Sequence, residues 1–164
     1  MLKDLTTVQL LQSPSHIKMN NTSAISFDLN TTDPDCAIGI AVWLNDVCVF
    51  ETAHLKELHH FSHNINDDDE CEHELRVVMS GKTTEHTKID DAGNILKDVL
   101  VSIANVDVDG IDIDQVFLDK TVYTHDFNGT QSKIADTFHG CMGCNGTLSM
   151  QFSTPVYLWL LENM

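Results

Sequence analysis

The chain has 164 residues, 42% hydrophobic and 21% charged, which is the composition of one globular domain rather than of a disordered segment. Its 25 acidic residues against 9 basic ones give a formal net charge of -16, which repels phosphate backbones and argues against a nucleic-acid partner. Five cysteines without a recognisable signal peptide or membrane span indicate mostly reduced thiols. We therefore predict a single domain over residues 1–164.

The amino-terminal part is predicted to form two strands. Residues 5–11 are rich in Thr, Val and Leu, and residues 24–29 alternate between apolar and polar side chains. In the second segment Ile25, Phe27 and Leu29 share one face. This alternation is typical of a strand that buries one face and exposes the other.

A hairpin is predicted next, with strands at residues 37–44 and 47–50 around the turn Asn45-Asp46. Both strands are apolar on both faces, as expected in the middle of a sandwich. Trp43 lies opposite Cys48 in this pairing. Two roles for Trp43 stay open, namely core packing and a stacking platform for a sugar or another planar ligand.

Residues 52–60 have the apolar spacing of a short helix, and they begin a stretch that is unusually rich in histidine. On a helix, His59 and His63 would share one face and form a metal pair, whereas on a strand they would be too far apart. The alternatives are a metal-dependent hydrolase site and ordinary surface histidines. The histidines of this stretch are His54, His59, His60, His63 and His73.

Two further strands precede the most informative stretch of the sequence. Residues 61–65 continue from the histidine-rich segment, and residues 73–79 alternate with Leu75, Val77 and Met79 on the inner face. Residues 95–104 then lead into an acidic hairpin.

The acidic hairpin is the clearest local signal, because Asp109-Gly110 is flanked by alternating apolar residues. With these two residues at the turn, Asp107 faces Asp112 and Asn105 faces Asp114. Like charges directly opposite each other destabilise a sheet. The carboxylates are therefore either well solvated or bound to a cation.

Calcium is the candidate cofactor of this hairpin, because Ca²⁺ prefers several carboxylate and carbonyl oxygens. The candidate ligands are Asp107, Asp112 and Asp114, with Asn105 beside them. The order of these residues does not match the twelve-residue EF-hand loop, and two strands alone present a row of ligands rather than a cage. A solvated acidic face is the alternative.

The rest of the chain is predicted to complete an all-β fold. The acidic hairpin is expected to continue as a strand through residues 115–118, and further strands are expected at residues 122–125, 147–152 and 156–161. About ten short strands with frequent turns indicate an antiparallel β-sandwich, jelly-roll-like, with at most one short helix. The apolar strand 156–161 is expected to be buried on both faces, in the core or against another subunit.

Cys141 and Cys144 form a Cys-x-x-Cys pair within a glycine-rich connection. Such a pair is half of a zinc site, and no second pair follows it. A structural turn, a metal site and a redox pair all stay open. Phosphate-binding, nucleophile-elbow and dinucleotide-binding motifs are absent from the sequence, so we do not predict an enzyme.

Two groups of segments resemble small β-sandwich proteins encoded among the structural genes of marine tailed bacteriophages. The segments are residues 73–82, 85–90 and 93–95 in the first group and residues 123–130, 140–146 and 155–164 in the second. The resemblance covers roughly the last two thirds of the chain. It implies a virion component, namely a fibre, an adhesin domain or a decoration protein, that contacts other virion proteins.

The leading hypothesis from the sequence is a non-enzymatic virion protein that forms a homo-oligomer and binds cell-surface glycans. The sandwich also resembles calcium-dependent carbohydrate-binding modules, which is the alternative hypothesis. Trp43 and Tyr123 are the candidate ligand-stacking residues in both cases, with Trp159 as a further aromatic candidate. A metal-dependent hydrolase using the histidines is the third hypothesis.

Overall fold

The computed structural model describes residues 21–164, which form thirteen strands and two short helices. The strand predicted at residues 5–11 lies outside them. The strands are β1 (Thr22–Thr31), β2 (Gly39–Leu44), β3 (Val47–Thr52), β4 (His59–Asn66), β5 (Cys71–Ser80), β6 (Lys88–Ile89), β7 (Ile95–Lys97), β8 (Val101–Val108), β9 (Ile111–Asp112), β10 (Val122–His125), β11 (Ile134–Thr137), β12 (Cys141–Met142) and β13 (Gly146–Thr154). The helices are α1 (Asp114–Lys120) and α2 (Val156–Asn163), and Thr84–His86 forms a 3-10 turn.

Two antiparallel sheets make up the domain. The first has the order β12-β8-β1-β4, with β9 paired to β8, and the second has the order β11-β10-β13-β5-β2-β3. The chain crosses repeatedly from one sheet to the other, which is the connectivity of a jelly-roll-like sandwich. The predicted all-β sandwich is therefore confirmed, but the expectation of at most one short helix is wrong, because α1 and α2 are both present. β6 and β7 form a separate two-stranded sheet. The single domain over residues 1–164 stays a prediction.

The core follows from the alternation of apolar residues along the strands. Ile25, Phe27 and Leu29 of β1 are all buried, and so is the predicted inner face of β5. Phe27 stacks on Phe61 of β4 with ring centroids 4.7 Å apart. Full burial of each such side chain contributes roughly 1.5–3 kcal/mol, so the alternating positions account for much of the stability of the sandwich.

The hairpin at Asn45-Asp46 is confirmed, with Asn45 at a positive φ of 53° and Trp43 paired with Cys48. One detail of the prediction is wrong. β3 lies at the edge of its sheet rather than in the middle, and both Val47 and Cys48 are exposed. Apolar residues on both faces therefore did not identify a central strand here.

Three predictions of helix or strand are wrong. The predicted helix at residues 52–60 is an irregular connection from β3 into β4, anchored by the buried Leu55. Residues 115–118 lie in α1 and residues 156–161 lie in α2, although both were predicted to be strands. Short apolar runs suit both structures, so their length and periodicity alone do not distinguish a strand from a helix turn packed on a core.

α2 shows why the local pattern was misleading. Pro155 precedes the helix, where its fixed φ suits a helix start and its missing N–H costs nothing. Val156, Trp159 and Leu160 then fall on one side and are buried against the sandwich. The segment is therefore buried on one face only, and the expectation that both faces are buried is wrong.

Candidate functional site

The acidic hairpin folds as predicted at its tip. Asp109 and Gly110 have φ values of 52° and 79°, and Asp107 pairs with Asp112. The pairing then ends, because Asp114 begins α1 and Asn105 takes a positive φ of 53°. The predicted pair of Asn105 with Asp114 is therefore wrong, and the structure does not place all four candidate ligands in one row.

The carboxylates of the hairpin accept hydrogen bonds from the protein itself. Asp107 accepts from the Ser26 hydroxyl at 2.7 Å and from the Gly110 amide at 3.0 Å. Asp114 accepts from the Val106 amide at 2.7 Å, and Asp112 accepts from the Asp114 amide at 2.9 Å. These contacts hold the turn and the start of α1 in place, so the carboxylates have a structural role.

Within residues 21–164, no group of three or more His, Cys, Asp or Glu side chains is arranged to hold a metal ion. The calcium site at the hairpin stays a prediction.

A small polar cluster next to the hairpin has no counterpart in the sequence analysis. The carboxylate of Asp28 accepts a hydrogen bond from the Asn105 amide at 2.8 Å, and its other oxygen lies 2.8 Å from Nδ1 of His60. The hydrogen bond from Asn105, followed by that from His60, lowers the pKa of Asp28 below its ordinary value. The three residues meet only through the pairing of β1 with β4 and β8, which no local pattern reveals.

The histidines predicted as a possible metal cluster are dispersed. His59, His60 and His63 lie on β4, but His54 lies in a loop and His73 lies on β5 in the other sheet. They use their rings in separate contacts: His59 stacks on Phe50 at 4.2 Å, and His73 stacks on Phe152 at 5.2 Å.

The turn at residues 141–144 is held by a buried lysine that the sequence analysis missed. Lys82 donates from Nζ to the Asp98 carboxylate at 2.6 Å and to the carbonyls of Val99 at 2.8 Å and Gly143 at 2.5 Å. Both thiols of the Cys-x-x-Cys pair are free, and burial raises the pKa of the Cys144 thiol. The contact of Lys82 with the Gly143 carbonyl fixes this turn, and the turn, metal and redox interpretations of the pair all stay predictions.

Trp43 lies half-buried on the outer face of the second sheet. The guanidinium of Arg76 lies 5.6 Å from its ring centre, a cation–π distance, and Arg76 donates to the Asn45 carbonyl at 2.8 Å. Nε of Arg76 lies 3.5 Å from the Glu74 carboxylate, too far for an aligned hydrogen bond. A groove of about 390 Å³ runs beside Trp43 over small side chains such as Ala41.

Tyr123, the other candidate for ligand stacking, is 7% exposed. Its hydroxyl donates to the Cys144 carbonyl at 2.5 Å and accepts from the Cys144 amide at 3.0 Å. Burial raises the pKa of Tyr123 to about 12. Its ring packs near Phe138 in the core, and Trp159 is buried as well, so neither offers an open face to a sugar.

Two surfaces expose apolar side chains instead. On α2 and at Met164 directly after it, Tyr157 is 49% exposed, and Leu158, Leu161 and Met164 are exposed further; we call these four residues the helix face. On the β6–β7 hairpin, Ile89, Ile95 and Leu96 are each more than 60% exposed; we call these three residues the hairpin tip. Contiguous apolar patches of roughly a few hundred Å² on a protein surface mark interaction sites.

Comparison with known proteins identified no relative. No protein-family model, no curated protein and no solved structure matches the chain. In the described part of the chain, no helix is long and apolar enough to cross a membrane.

Proposed function

We propose that this protein is a non-enzymatic structural component of a bacteriophage particle that assembles as a homo-oligomer. The resemblance to virion β-sandwich proteins, carried by residues 73–82, 85–90, 93–95, 123–130, 140–146 and 155–164, supports the location in the particle. The single observation that carries the assembly role is the helix face, where large apolar side chains are exposed on an otherwise acidic protein. Association removes such surface from water, which is favourable.

The test of this proposal has two parts. Light scattering on the purified chain after size-exclusion chromatography should show a defined oligomer, and mass spectrometry of purified particles should detect the chain. A monomer at all accessible concentrations that is also absent from the particles would contradict the proposal. If an oligomer forms, electron microscopy shows its symmetry.

Glycan binding at Trp43 is a second candidate function, supported by the groove beside its ring. Sugars bind proteins by stacking on an aromatic ring while polar groups nearby form hydrogen bonds with the sugar hydroxyls. Glu51 and Thr52 line the same groove and supply such groups. An adhesin or fibre protein would use this face to attach to the host surface.

A glycan array tests this second function and the calcium hypothesis together. Wild-type protein should retain specific glycans, and Trp43→Ala should lose them. Leu58→Ala, which alters an exposed residue away from the groove, serves as the control. Binding that disappears with a chelator would support the calcium-dependent module, whereas chelator-resistant binding would favour the Trp43 groove without an ion.

A further inference from the structure

We infer that copies of this chain associate head to tail, with the hairpin tip of one copy bound against the helix face of the next. This inference rests on the proposed assembly function and specifies its geometry. A contact between two different surfaces repeats around a ring if the rotation closes, or along a filament if it does not.

The two surfaces lie at opposite ends of the sandwich. At one end of β5, Cys71 pairs with Thr154, the last residue of β13, two positions before α2 begins. At the other end β5 finishes at Ser80, and Lys82 follows and binds Asp98, the residue after β7. Because ten residues of strand span about 30 Å, one copy can contact two neighbours at once.

Charge distinguishes the two surfaces. A groove of about 400 Å³ beside the helix face is lined by three glutamates, Glu70, Glu72 and Glu162, and no Lys or Arg is among its described lining residues. Residues 88–97 of the hairpin instead carry two lysines and two aspartates, so their formal charge is zero. Lys88 and Lys97 face each other across the strands, and Lys97 forms an ion pair with Asp33. Lys88 is exposed and forms no ion pair within residues 21–164.

The charges favour a contact between unlike surfaces over a contact between like ones. A two-fold interface brings the same patch of both copies together. Helix face on helix face would oppose three glutamates with three glutamates, and hairpin on hairpin would join two segments of zero formal charge without a net attraction. Like charges across an interface disfavour it, whereas the head-to-tail contact places Lys88 near the glutamates.

The hairpin itself also indicates that a partner covers it. β6 and β7 form a sheet of two strands that pairs with neither large sheet, and residues 91–97 are all exposed. An isolated two-stranded hairpin is marginally stable in water. Its ordered turn is held by Asp90, which accepts hydrogen bonds from the backbone amides of Ala92 and Asn94. Burying its three large aliphatic side chains against another surface would stabilise the hairpin.

The test uses two variants that each lose one surface. Leu96→Glu places a charge in the hairpin tip, and Leu161→Glu places one in the helix face, both at exposed positions that leave the core intact. Leu58→Glu changes another leucine that is more than 60% exposed, outside both surfaces, and is the matched control. Light scattering measures the mass of each variant and of a mixture of the two, and thermal melts followed by circular dichroism confirm that all of them fold.

A head-to-tail contact predicts that each variant alone is monomeric, that the mixture forms a species of two chains, and that the control assembles like the wild type. The mixture stops at two because it has one intact hairpin tip and one intact helix face to join. A helix-face variant that is monomeric beside a hairpin variant that still assembles would overturn the inference in favour of a two-fold helix contact, while leaving the assembly function standing. Variants that stay monomeric when mixed would also overturn the inference. A monomeric wild type would overturn both the inference and the assembly function.

Discussion

Replacing Lys82 with methionine should destabilise the fold more than any surface substitution. The lysine side chain is 1% exposed, and its ammonium group is bound by one carboxylate and two carbonyl oxygens. Methionine has a similar length but no donor, so Asp98, Val99 and Gly143 each lose a hydrogen-bond partner. Breaking a buried ion pair costs about 3–5 kcal/mol. Because the Asp98 side chain is itself 21% exposed, we expect the lower end, about 3 kcal/mol.

Urea unfolding near neutral pH measures this loss, and the double variant Lys82→Met with Asp98→Leu tests its cause. If much of the cost comes from a carboxylate left without its cation, removing that carboxylate should recover part of the stability, although the carbonyls of Val99 and Gly143 stay without their donor. A single variant that loses less than about 1 kcal/mol, or a double variant no more stable than the single one, would refute this reasoning.

The pH dependence of the stability is an independent check on the ion pair between Lys82 and Asp98. Burial raises the pKa of Asp98, but the hydrogen bonds from Lys82 and Thr87 outweigh burial and leave the pKa lowered. A carboxylate with a lowered pKa stabilises the fold fully above its unfolded pKa and loses that contribution as the pH falls through its folded pKa. The difference in free energy of unfolding between the wild type and Lys82→Met should therefore become smaller as the pH falls below 3.8, the ordinary pKa of an aspartate.

Three further predictions follow from buried or tightly packed residues. The wild type should lose about 2 kcal/mol of its free energy of unfolding between pH 10 and about 12, and Tyr123→Phe should not show this loss. The reason is that a buried hydroxyl with a raised pKa stabilises the fold below its unfolded pKa and loses that contribution as the pH rises through its folded pKa. Unfolding curves across that range measure it, and an unchanged pH profile would contradict it. Gly146→Ala should lower the free energy of unfolding by about 1–3 kcal/mol, since a Cβ there would overlap the carbonyl oxygen of Thr124 on β10. Gly143→Ala meets only ordinary contacts and should leave the stability nearly unchanged when both variants are unfolded in urea. Asn105→Ala should raise the pKa of Asp28 toward 3.8 in a carboxyl NMR titration, and an unaltered pKa would show that the amide is not its main determinant.

Local signals in the sequence were sufficient for the turns and the buried faces. The turn at Asp109-Gly110 needs two residues that accept positive φ, a requirement of the backbone itself. The buried side of β1 follows from strict alternation, because a shift of one residue would expose Phe27 and its neighbours. Both features depend on residues close together in the chain, so they could be predicted without knowledge of the fold.

Tertiary structure alone decided the features on which the proposed function rests. The apolar residues 156–161 would suit a buried strand, and the packing of Val156, Trp159 and Leu160 against the sandwich decides that they form a helix with an exposed face. The burial of Lys82 depends on acceptors up to 61 residues away in the chain. The opposite placement of the hairpin tip and the helix face follows from the pairing of β5 with β13. The local sequence predicts the backbone conformation of turns and the alternation of buried and exposed residues. Contacts between distant segments depend instead on how the two sheets pack, and that packing is a property of the whole chain.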